Sequence, residues 1–186
     1  MKDEKMKDEK LIEKQLTTTN LYKGIILDIY SDTVQLPNKK QATREYLKHL
    51  GAVCIIPITH DKKVIMERQY RYPVGRVVLE IPAGKLDSAD EDPLDAAKRE
   101  LKEETGYTAD EWISLGHYMP APAYSSEYIG VYMARGLHRG QQHLDDEEFL
   151  DVIEIPLEEL VEDVMKDRIS DGKTQIAILK AHMMLS

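Results

Sequence analysis

Cysteine is almost absent from this sequence, and other marks of large protein classes are missing too. Cys54 is the only cysteine, so no intrachain disulfide can form. Its position in the apolar run AVCIIPI indicates a buried strand residue rather than a nucleophile. No run approaches about 18 consecutive apolar residues, which argues against a membrane-spanning helix. The six histidines show neither HxxxH nor HExxH spacing, so a zinc site is not favoured.

Basic residues are scarce relative to acidic ones. The chain has 25 Lys and Arg against 34 Asp and Glu, a net charge of -9. Nucleic acids bind clustered Lys and Arg, so we expect no nucleic-acid partner. The hydrophobic fraction of 42% and the mean hydropathy of -0.46 are typical of a water-soluble globular protein. The first residues, MKDEKMKDEK, are too charged for a signal peptide, so we expect a cytoplasmic protein without a membrane partner.

The stretch Gly84–Tyr107 carries the clearest local pattern. Asp92 suits the N-cap of a helix, Pro93 suits its first position, and Gly106 suits the left-handed residue that ends it. The interior AAKRELKEE consists of strong helix formers. At 3.6 residues per turn, one stripe of this helix is expected to be buried: Leu94, Ala97, Leu101 and Thr105.

A second arc of the same helix is acidic. Glu100, Glu103 and Glu104 fall on one side, because side chains three and four residues apart are neighbours. Their mutual repulsion amounts to roughly 0.2–0.5 kcal/mol per pair, and Arg99 and Lys102 can offset part of it. The pattern is typical of a solvated, salt-bridged face, but it also suits Mg²⁺ or Mn²⁺, which bind several carboxylate oxygens.

The whole stretch resembles the signature of the Nudix hydrolases, which cleave nucleoside diphosphates linked to another group. That signature has a glycine, five residues, Glu, seven residues, Arg-Glu, an apolar residue, any residue, Glu-Glu, any residue, Gly and a bulky apolar residue. The departure is one extra residue between Gly84 and Glu91, in the loop before the helix. The matching residues are Gly84, Glu91, Arg99, Glu100, Leu101, Glu103, Glu104, Gly106 and Tyr107.

The order of predicted elements favours an α/β fold with a mixed β-sheet and helices packed on it. By resemblance this is the Nudix α/β/α sandwich over residues 51–186. A β segment at residues 21–50 and a charged tail at residues 1–20 precede it. Apolar periodicity predicts two helices near the end of the chain, Leu157–Asp167 and Lys173–Leu185.

Residues outside the signature are similar to one subgroup, the ADP-ribose (ADP-sugar) pyrophosphatases. Glu80-Ile81-Pro82-Ala83 precedes the signature glycine, Gln69-Tyr70-Arg71 lies upstream, and Pro122 with Glu127 follows. The segment with Arg44-Glu45 resembles the N-terminal β extension that exchanges between subunits there. The resemblance implies a homodimer whose active sites are completed across the dimer.

The resemblance also assigns roles. Glu100 and Glu104 are expected to bind the cation directly, and Glu103 directly or through water. The carbonyl of Ala83 is expected as a further ligand, while Arg99 pairs with a signature glutamate.

A general base is expected from the acidic loop at residues 145–149, with Glu148 preferred and Glu147 second. Arg can bind phosphate oxygens bidentately, which makes arginines the natural diphosphate or ribose contacts. The candidate substrate contacts are Arg71, Arg44, Tyr46, Tyr22, Tyr70, Glu80 and Glu127.

The expected reaction is Mg²⁺-dependent (or Mn²⁺-dependent) hydrolysis of ADP-ribose or a related nucleoside diphosphate sugar, giving AMP and a sugar 5-phosphate. The same chemistry on a dinucleoside polyphosphate or FAD stays open. A Nudix-type domain that senses a nucleotide without catalysis is a third possibility. It is disfavoured because Glu100, Glu103 and Glu104 are all present.

Overall fold

The computed structural model describes Asp8, residues 10–144 and residues 146–186. The chain divides into two compact units. The first contains the chain up to His49 together with Ala121–Glu127, and the second contains Leu50–Pro120 with Tyr128–Ser186. Residues 121–127, expected with the larger domain, therefore belong to the smaller unit.

The first unit contains a three-stranded antiparallel sheet in the order β1-β2-β3. Its strands are β1 (Lys14–Lys23), β2 (Asp28–Gln35) and β3 (Gln41–Leu47). Every residue of β1 is exposed within the chain. Among the described residues only β2 pairs with β1, so its outer edge presents the unpaired backbone groups that are the usual liability of an edge strand.

Two expectations for this segment are corrected. Residues 14–20, assigned to a charged tail, lie in β1. The three successive threonines Thr17, Thr18 and Thr19 are β-branched and favour a strand, which the charge of the preceding residues obscured. The β segment expected at residues 21–50 therefore begins earlier, at Lys14, and the chain turns after β1, where the Gly24 N–H donates to the Leu27 carbonyl at 2.8 Å.

The second unit has two sheets. One is antiparallel with the order β10-β5-β6, and the other is mixed with the order β7-β4-β9-β8, in which only β4 and β9 are parallel. The strands are β4 (Ala52–Pro57), β5 (Lys63–Arg71), β6 (Arg76–Glu80), β7 (Ala83–Lys85), β8 (Tyr107–Tyr118), β9 (Ile129–Arg139) and β10 (Leu150–Pro156). The helices are α1 (Pro93–Thr105), α2 (Leu157–Met165) and α3 (Gly172–Leu185), with a 3₁₀ turn at Tyr72–Val74.

Strand β4 is buried on both faces, which explains its uninterrupted apolar sequence. Val53 and Ile55 belong to the cluster that contains Leu101 of α1. The alternate residues, Cys54 and Ile56, belong to the cluster that contains α2 and α3. A fully buried Ile or Leu side chain contributes about 1.5–3 kcal/mol, so both layers are substantial. The predicted α/β/α sandwich with a mixed sheet is confirmed.

Helix α1 begins and ends where its sequence predicts. The Asp92 carboxylate accepts hydrogen bonds from the Leu94 N–H at 2.8 Å and the Asp95 N–H at 3.3 Å. Gly106 has φ of 76° and closes the helix. The buried stripe differs slightly from the prediction, because Leu94 is only half-buried. The residues that are buried are Ala96, Ala97, Leu101, Glu104 and Thr105.

Within the described part of the chain, no helix combines the length and the apolar character that crossing a bilayer requires.

Candidate active site

Strand β7, which carries Gly84, lies directly against the acidic arc of α1. A Cβ atom added at Gly84 would lie 1.9 Å from Oε1 of Glu100 and 2.4 Å from its Oε2. The Glu100 carboxylate therefore occupies the space that any other residue type would fill. The signature glycine is needed for this close approach rather than for an unusual backbone angle.

Arg99 organises one side of the acidic arc. Its Nη1 donates to Glu100 Oε1 at 2.8 Å and to Glu103 Oε2 at 3.3 Å. Its Nη2 donates to Glu91 Oε1 at 3.2 Å. Partial burial opposes the charge of Arg99, but Glu100 and Glu91 outweigh it and raise the pKa of the guanidinium. The extra residue before Glu91 thus leaves that carboxylate in contact with Arg99.

Glu104 points to the interior and is buried. Its Oε2 accepts a hydrogen bond from the Ala83 N–H at 2.9 Å, which joins α1 to the start of β7. Beside it lies Glu67 of β5, which is 3% exposed and was not among the predicted site residues. Glu67 Oε1 is buried without a hydrogen-bond partner among the described residues. Such an orphaned acceptor is costly unless a cation or a proton satisfies it.

Burial and mutual repulsion keep this pair from ionising together. Burial, followed by the charge of Glu148, raises the pKa of Glu67 to about 8. Burial, followed by the charges of Glu67 and Glu100, raises the pKa of Glu104 to about 10. Two carboxylates that share a buried site favour a shared proton or a bound cation. The position between Glu67 and Glu104 therefore attracts positive charge.

A second network lies next to Glu67, because Glu67 and Glu80 are cross-strand partners in the β5–β6 ladder. Arg71 Nε and Nη2 donate to the two carboxylate oxygens of Glu80 at 2.8 and 2.9 Å. Lys173 of α3 forms an ion pair with the same carboxylate. Burial alone would raise the pKa of Glu80, but Arg71 and Lys173 lower it below its usual value.

The predicted general base approaches this cluster from the segment before β10. The Gln69 side chain donates to Glu148 Oε1 at 3.4 Å. Glu148 is half-buried, and its charge contributes to the raised pKa values of Glu67, Glu100 and Glu104. Glu147 is exposed. Asp145, the first residue of the predicted loop, lies outside the described residues.

The start of this loop is tied to the end of the acidic helix. The Gln142 side chain donates to the Glu104 carbonyl at 2.5 Å, and the His143 N–H donates to the Glu103 carbonyl at 2.9 Å. These bonds satisfy carbonyl groups that a helix C-terminus otherwise leaves free. They also hold the segment that leads to Glu148 against the C-terminal end of α1.

Among the remaining predicted substrate contacts, Tyr70 is exposed on β5 of the second unit, and the others belong to the first unit. Arg44 forms a two-bond ion pair with Glu13, with Nε 2.8 Å from Oε2. The Tyr46 ring stacks on Tyr30, with centroids 5.8 Å apart. Tyr22 is exposed on β1. Glu127 Oε1 lies 3.8 Å from Nε2 of His49.

No three acidic, histidine or cysteine side chains among the described residues already surround one point as metal ligands do. Glu100 is turned towards Arg99, and Glu104 is turned towards the Ala83 N–H. Each of these carboxylates keeps oxygen lone pairs that the hydrogen bonds do not use, and those could hold a cation. The structure brings together Glu67, Glu80, Glu100, Glu103, Glu104, Glu148, Arg71, Arg99 and Ala83 in the second unit.

Comparison with known proteins adds an independent line of support. The NUDIX domain model matches residues 48–175. The chain is 40% identical over 168 residues to a methanol dehydrogenase activator of Bacillus methanolicus, covering 89% of this chain and 90% of that protein. It is 38% identical over 170 residues to an ADP-ribose pyrophosphatase of Bacillus subtilis, covering 90% and 91%.

A solved structure shows the same fold. The crystal structure of an ADP compounds hydrolase superposes with a TM-score of 0.83 at 24% identity, covering 94% of this chain and 95% of that chain. The matched family model spans both the acidic helix and the strands that carry Glu67 and Glu80. The chain belongs to the Nudix family.

Proposed function

We propose that this protein is a Nudix pyrophosphohydrolase that cleaves the diphosphate of ADP-ribose, or of a related ADP-sugar, to AMP and a sugar 5-phosphate. The observation that carries the proposal is the buried pair Glu67 and Glu104 beside Glu100, which calls for positive charge. ADP-ribose pyrophosphatases of Bacillus subtilis and Mycobacterium tuberculosis share 38% and 33% identity with the chain over most of its length.

The donor set fits Mg²⁺ or Mn²⁺. The ligands would be carboxylate oxygens of Glu100 and Glu104 with Glu103, and the carbonyl of Ala83. The orphaned Glu67 Oε1 supports the fit, because a cation would satisfy an acceptor that has no partner among the described residues. When bound, such a cation polarises phosphoryl oxygens and lowers the pKa of a bound water.

Glu148 is the proposed general base. Its carboxylate lies near Glu67, Glu100 and Glu104, and a base must be within reach of the water whose proton it accepts. Glu147 is the second candidate and would need the loop to turn inward, since it is exposed. Arg99 is proposed to hold Glu100 and Glu103 in their positions on α1.

Substrate recognition is assigned to arginine, glutamate and tyrosine side chains. Arg71 and Arg44 are proposed to bind diphosphate or ribose oxygens, with Glu127 as a further polar contact. Glu80, also expected from the sequence as a contact, is only 4% exposed and is proposed to act through Arg71. Tyr22, Tyr46 and Tyr70 are proposed as the candidates that stack on the adenine. The exposed strand β1, with the exposed side chains of Leu16 and Leu21, supports a homodimer in which the first unit pairs with a second copy of the chain.

A cytoplasmic location is part of the proposal. It is supported by a single cysteine, Cys54, that is buried in β4 and whose burial raises the pKa of its thiol to about 12.

The decisive experiment is a panel of nucleoside diphosphate compounds assayed with Mg²⁺, Mn²⁺ and EDTA. The panel contains ADP-ribose, ADP-glucose, a dinucleoside polyphosphate, FAD and an oxidised nucleoside triphosphate. We expect cation-dependent release of AMP from ADP-ribose, and its loss in Glu104→Gln. The matched control is Glu159→Gln, which removes an exposed carboxylate from α2. Full activity of Glu104→Gln, or equal activity in EDTA, contradicts the proposal.

The methanol dehydrogenase activator at 40% identity favours one second candidate, a protein that acts on a dehydrogenase. The two candidates separate in one assay. Methanol dehydrogenase activity is measured with wild-type protein, with Glu104→Gln and without either. Activation by wild type without hydrolysis of any panel compound would favour the second candidate.

A further inference from the structure

One buried cation of the second unit has no assigned role. The Lys173 side chain, in the first turn of α3, is only 12% exposed. Its Nζ forms an ion pair with Glu80 and lies 3.1 Å from Oδ2 of Asp171. Lysine is rarely buried to this extent unless it is paired, because its charge loses hydration. The position of Lys173 therefore reflects its partners.

The partner of Lys173 is the residue that holds Arg71. Glu80 Oε2 accepts from both Lys173 and Arg71 Nη2, while Oε1 accepts from Arg71 Nε. Four charges of alternating sign thus run from Asp171 through Lys173 and Glu80 to Arg71. The Glu80 carboxylate, held from two sides, has a fixed orientation. A bidentate pair in turn fixes the plane of the guanidinium.

Arg71 is the exposed end of this series. Its side chain is 43% exposed, whereas that of Glu80 is 4% exposed. The pair with Glu80 uses Nε and Nη2, so the N–H groups of Nη1 remain for an oxygen outside the pair. The hydrogen bonds that Arg71 donates to Glu80, and the charge of Glu80, raise the pKa of Arg71, and the charge of Glu104 adds to this effect. The guanidinium thus lies beside the carboxylate cluster.

The start of α3 has its own attachment that does not need Lys173. Thr174 Oγ1 accepts from the Ile81 N–H at 3.0 Å and donates to Asp171 Oδ2 at 2.6 Å. The Asp171 carboxylate also caps the helix by accepting from the Thr174 N–H at 3.0 Å. The helix is therefore joined to the end of β6 without Lys173, whose ammonium is left to act on Glu80.

We propose that Lys173 is a positioning residue for substrate binding. It fixes Glu80, and Glu80 fixes the plane in which Arg71 presents Nη1 to a phosphate or ribose oxygen of the substrate. The inference rests on the proposed function, since it assumes that Arg71 contacts an ADP-sugar. It predicts that the charge of Lys173 acts on KM rather than on kcat.

The test compares Lys173→Met with the double variant Lys173→Met/Glu80→Gln. In the single variant Glu80 loses one of its two cations, so both the melting temperature and the affinity fall. We expect KM for ADP-ribose to rise about tenfold or more, the loss typical of one charge-assisted hydrogen bond, with kcat changed less than about threefold. The matched control is Lys180→Met, which removes an exposed lysine of the same helix that donates to the Leu115 carbonyl.

The double variant separates positioning from stability. It removes the charges of Glu80 and Lys173, the two least exposed members of the series, and leaves Asp171 bonded to Thr174. We therefore expect most of the melting temperature to return while KM stays raised, because a neutral amide cannot hold Arg71 by two accepting oxygens. Recovery of KM together with melting temperature would overturn the inference, and so would an unchanged KM in the single variant. Wild-type protein that fails to cleave ADP-ribose with Mg²⁺ would instead refute the proposed function itself.

Discussion

Replacing Glu67 by glutamine tests whether the buried carboxyl pair shares a proton in the metal-free protein. Glutamine has nearly the same shape and no charge at any pH. Burial is the first cause of the raised pKa of both Glu67 and Glu104, and repulsion within the pair adds to it. The change therefore removes a repulsive partner while keeping the packing. We expect the metal-free protein to become more stable at neutral pH, which is unusual for a substitution of a buried residue.

The direction in which stability changes with pH follows from the direction of the pKa shifts. As pH rises above about 4.5, the unfolded chain releases these protons while the folded protein keeps them. The free energy of unfolding in EDTA therefore falls from that pH up to the folded pKa of about 8 for Glu67. The slope is about 1.4 kcal/mol per pH unit for each group.

Because protonation of one carboxyl relieves the other, the pair counts as one group. Between pH 4.5 and pH 7 the free energy of unfolding in EDTA therefore falls by about 3 kcal/mol. A difference of that size corresponds to roughly 6–12 °C in melting temperature for a chain of this length. Added Mg²⁺ should stabilise the wild type more than Glu67→Gln, because binding to the folded state raises its stability and the variant has lost a negative charge at the site.

The assay is thermal and urea unfolding between pH 5 and pH 9, in EDTA and in Mg²⁺. Glu159→Gln is the control, since an exposed carboxylate is screened by water and should change stability by less than about 1 kcal/mol. If Glu67→Gln keeps the wild-type pH slope, or is less stable than wild type in EDTA at pH 8, the two carboxyls do not share a proton and the reasoning fails.

Two further predictions concern Gly84 and the proposed homodimer. Gly84→Ala should raise the Mg²⁺ concentration for half-maximal activity about tenfold or more with little change in melting temperature, because the added methyl displaces the flexible end of Glu100 rather than backbone. Gly172→Ala, which meets nothing within 4 Å, is its control, and equal Mg²⁺ requirements would contradict the expectation. Light scattering should give about twice the chain mass of 21.3 kDa, whereas a monomer at micromolar concentration would remove the proposed pairing of β1.

Local sequence signals were sufficient for the elements that depend on neighbours in the chain. Helix α1 was predicted with its N-cap Asp92 and its terminating Gly106, because capping and left-handed glycine are properties of a few consecutive residues. The contact of Arg99 with Glu103 follows in the same way from helical spacing. Strand β4 was recognisable because burial on both faces leaves an uninterrupted apolar run.

The residues that escaped prediction depend on pairing between distant strands. Glu67 stands at the end of the buried run VIME, where a glutamate after three apolar residues looks like the exposed end of a strand. Only the register of β5 against β6 places it opposite Glu80, and only the packing of α1 places it beside Glu104. Lys173 was assigned to a helix start, yet its partner Glu80 lies 93 residues away in sequence. Single-sequence periodicity carries no information on such contacts.

The distribution of positive charge in the second unit supports the proposal that a divalent cation, rather than a proton alone, binds at the carboxyl cluster. Arg99 pairs with Glu91, Glu100 and Glu103, while Arg71 and Lys173 pair with Glu80. None of the ion pairs among the described residues includes Glu67 or Glu104, the two carboxyls that lie between these networks. A proton can neutralise one of those two charges, but a bound diphosphate would bring further negative charge to the same place. Only an ion of higher charge can balance both the protein and the substrate, and oxygen-rich sites of this kind select Mg²⁺ or Mn²⁺.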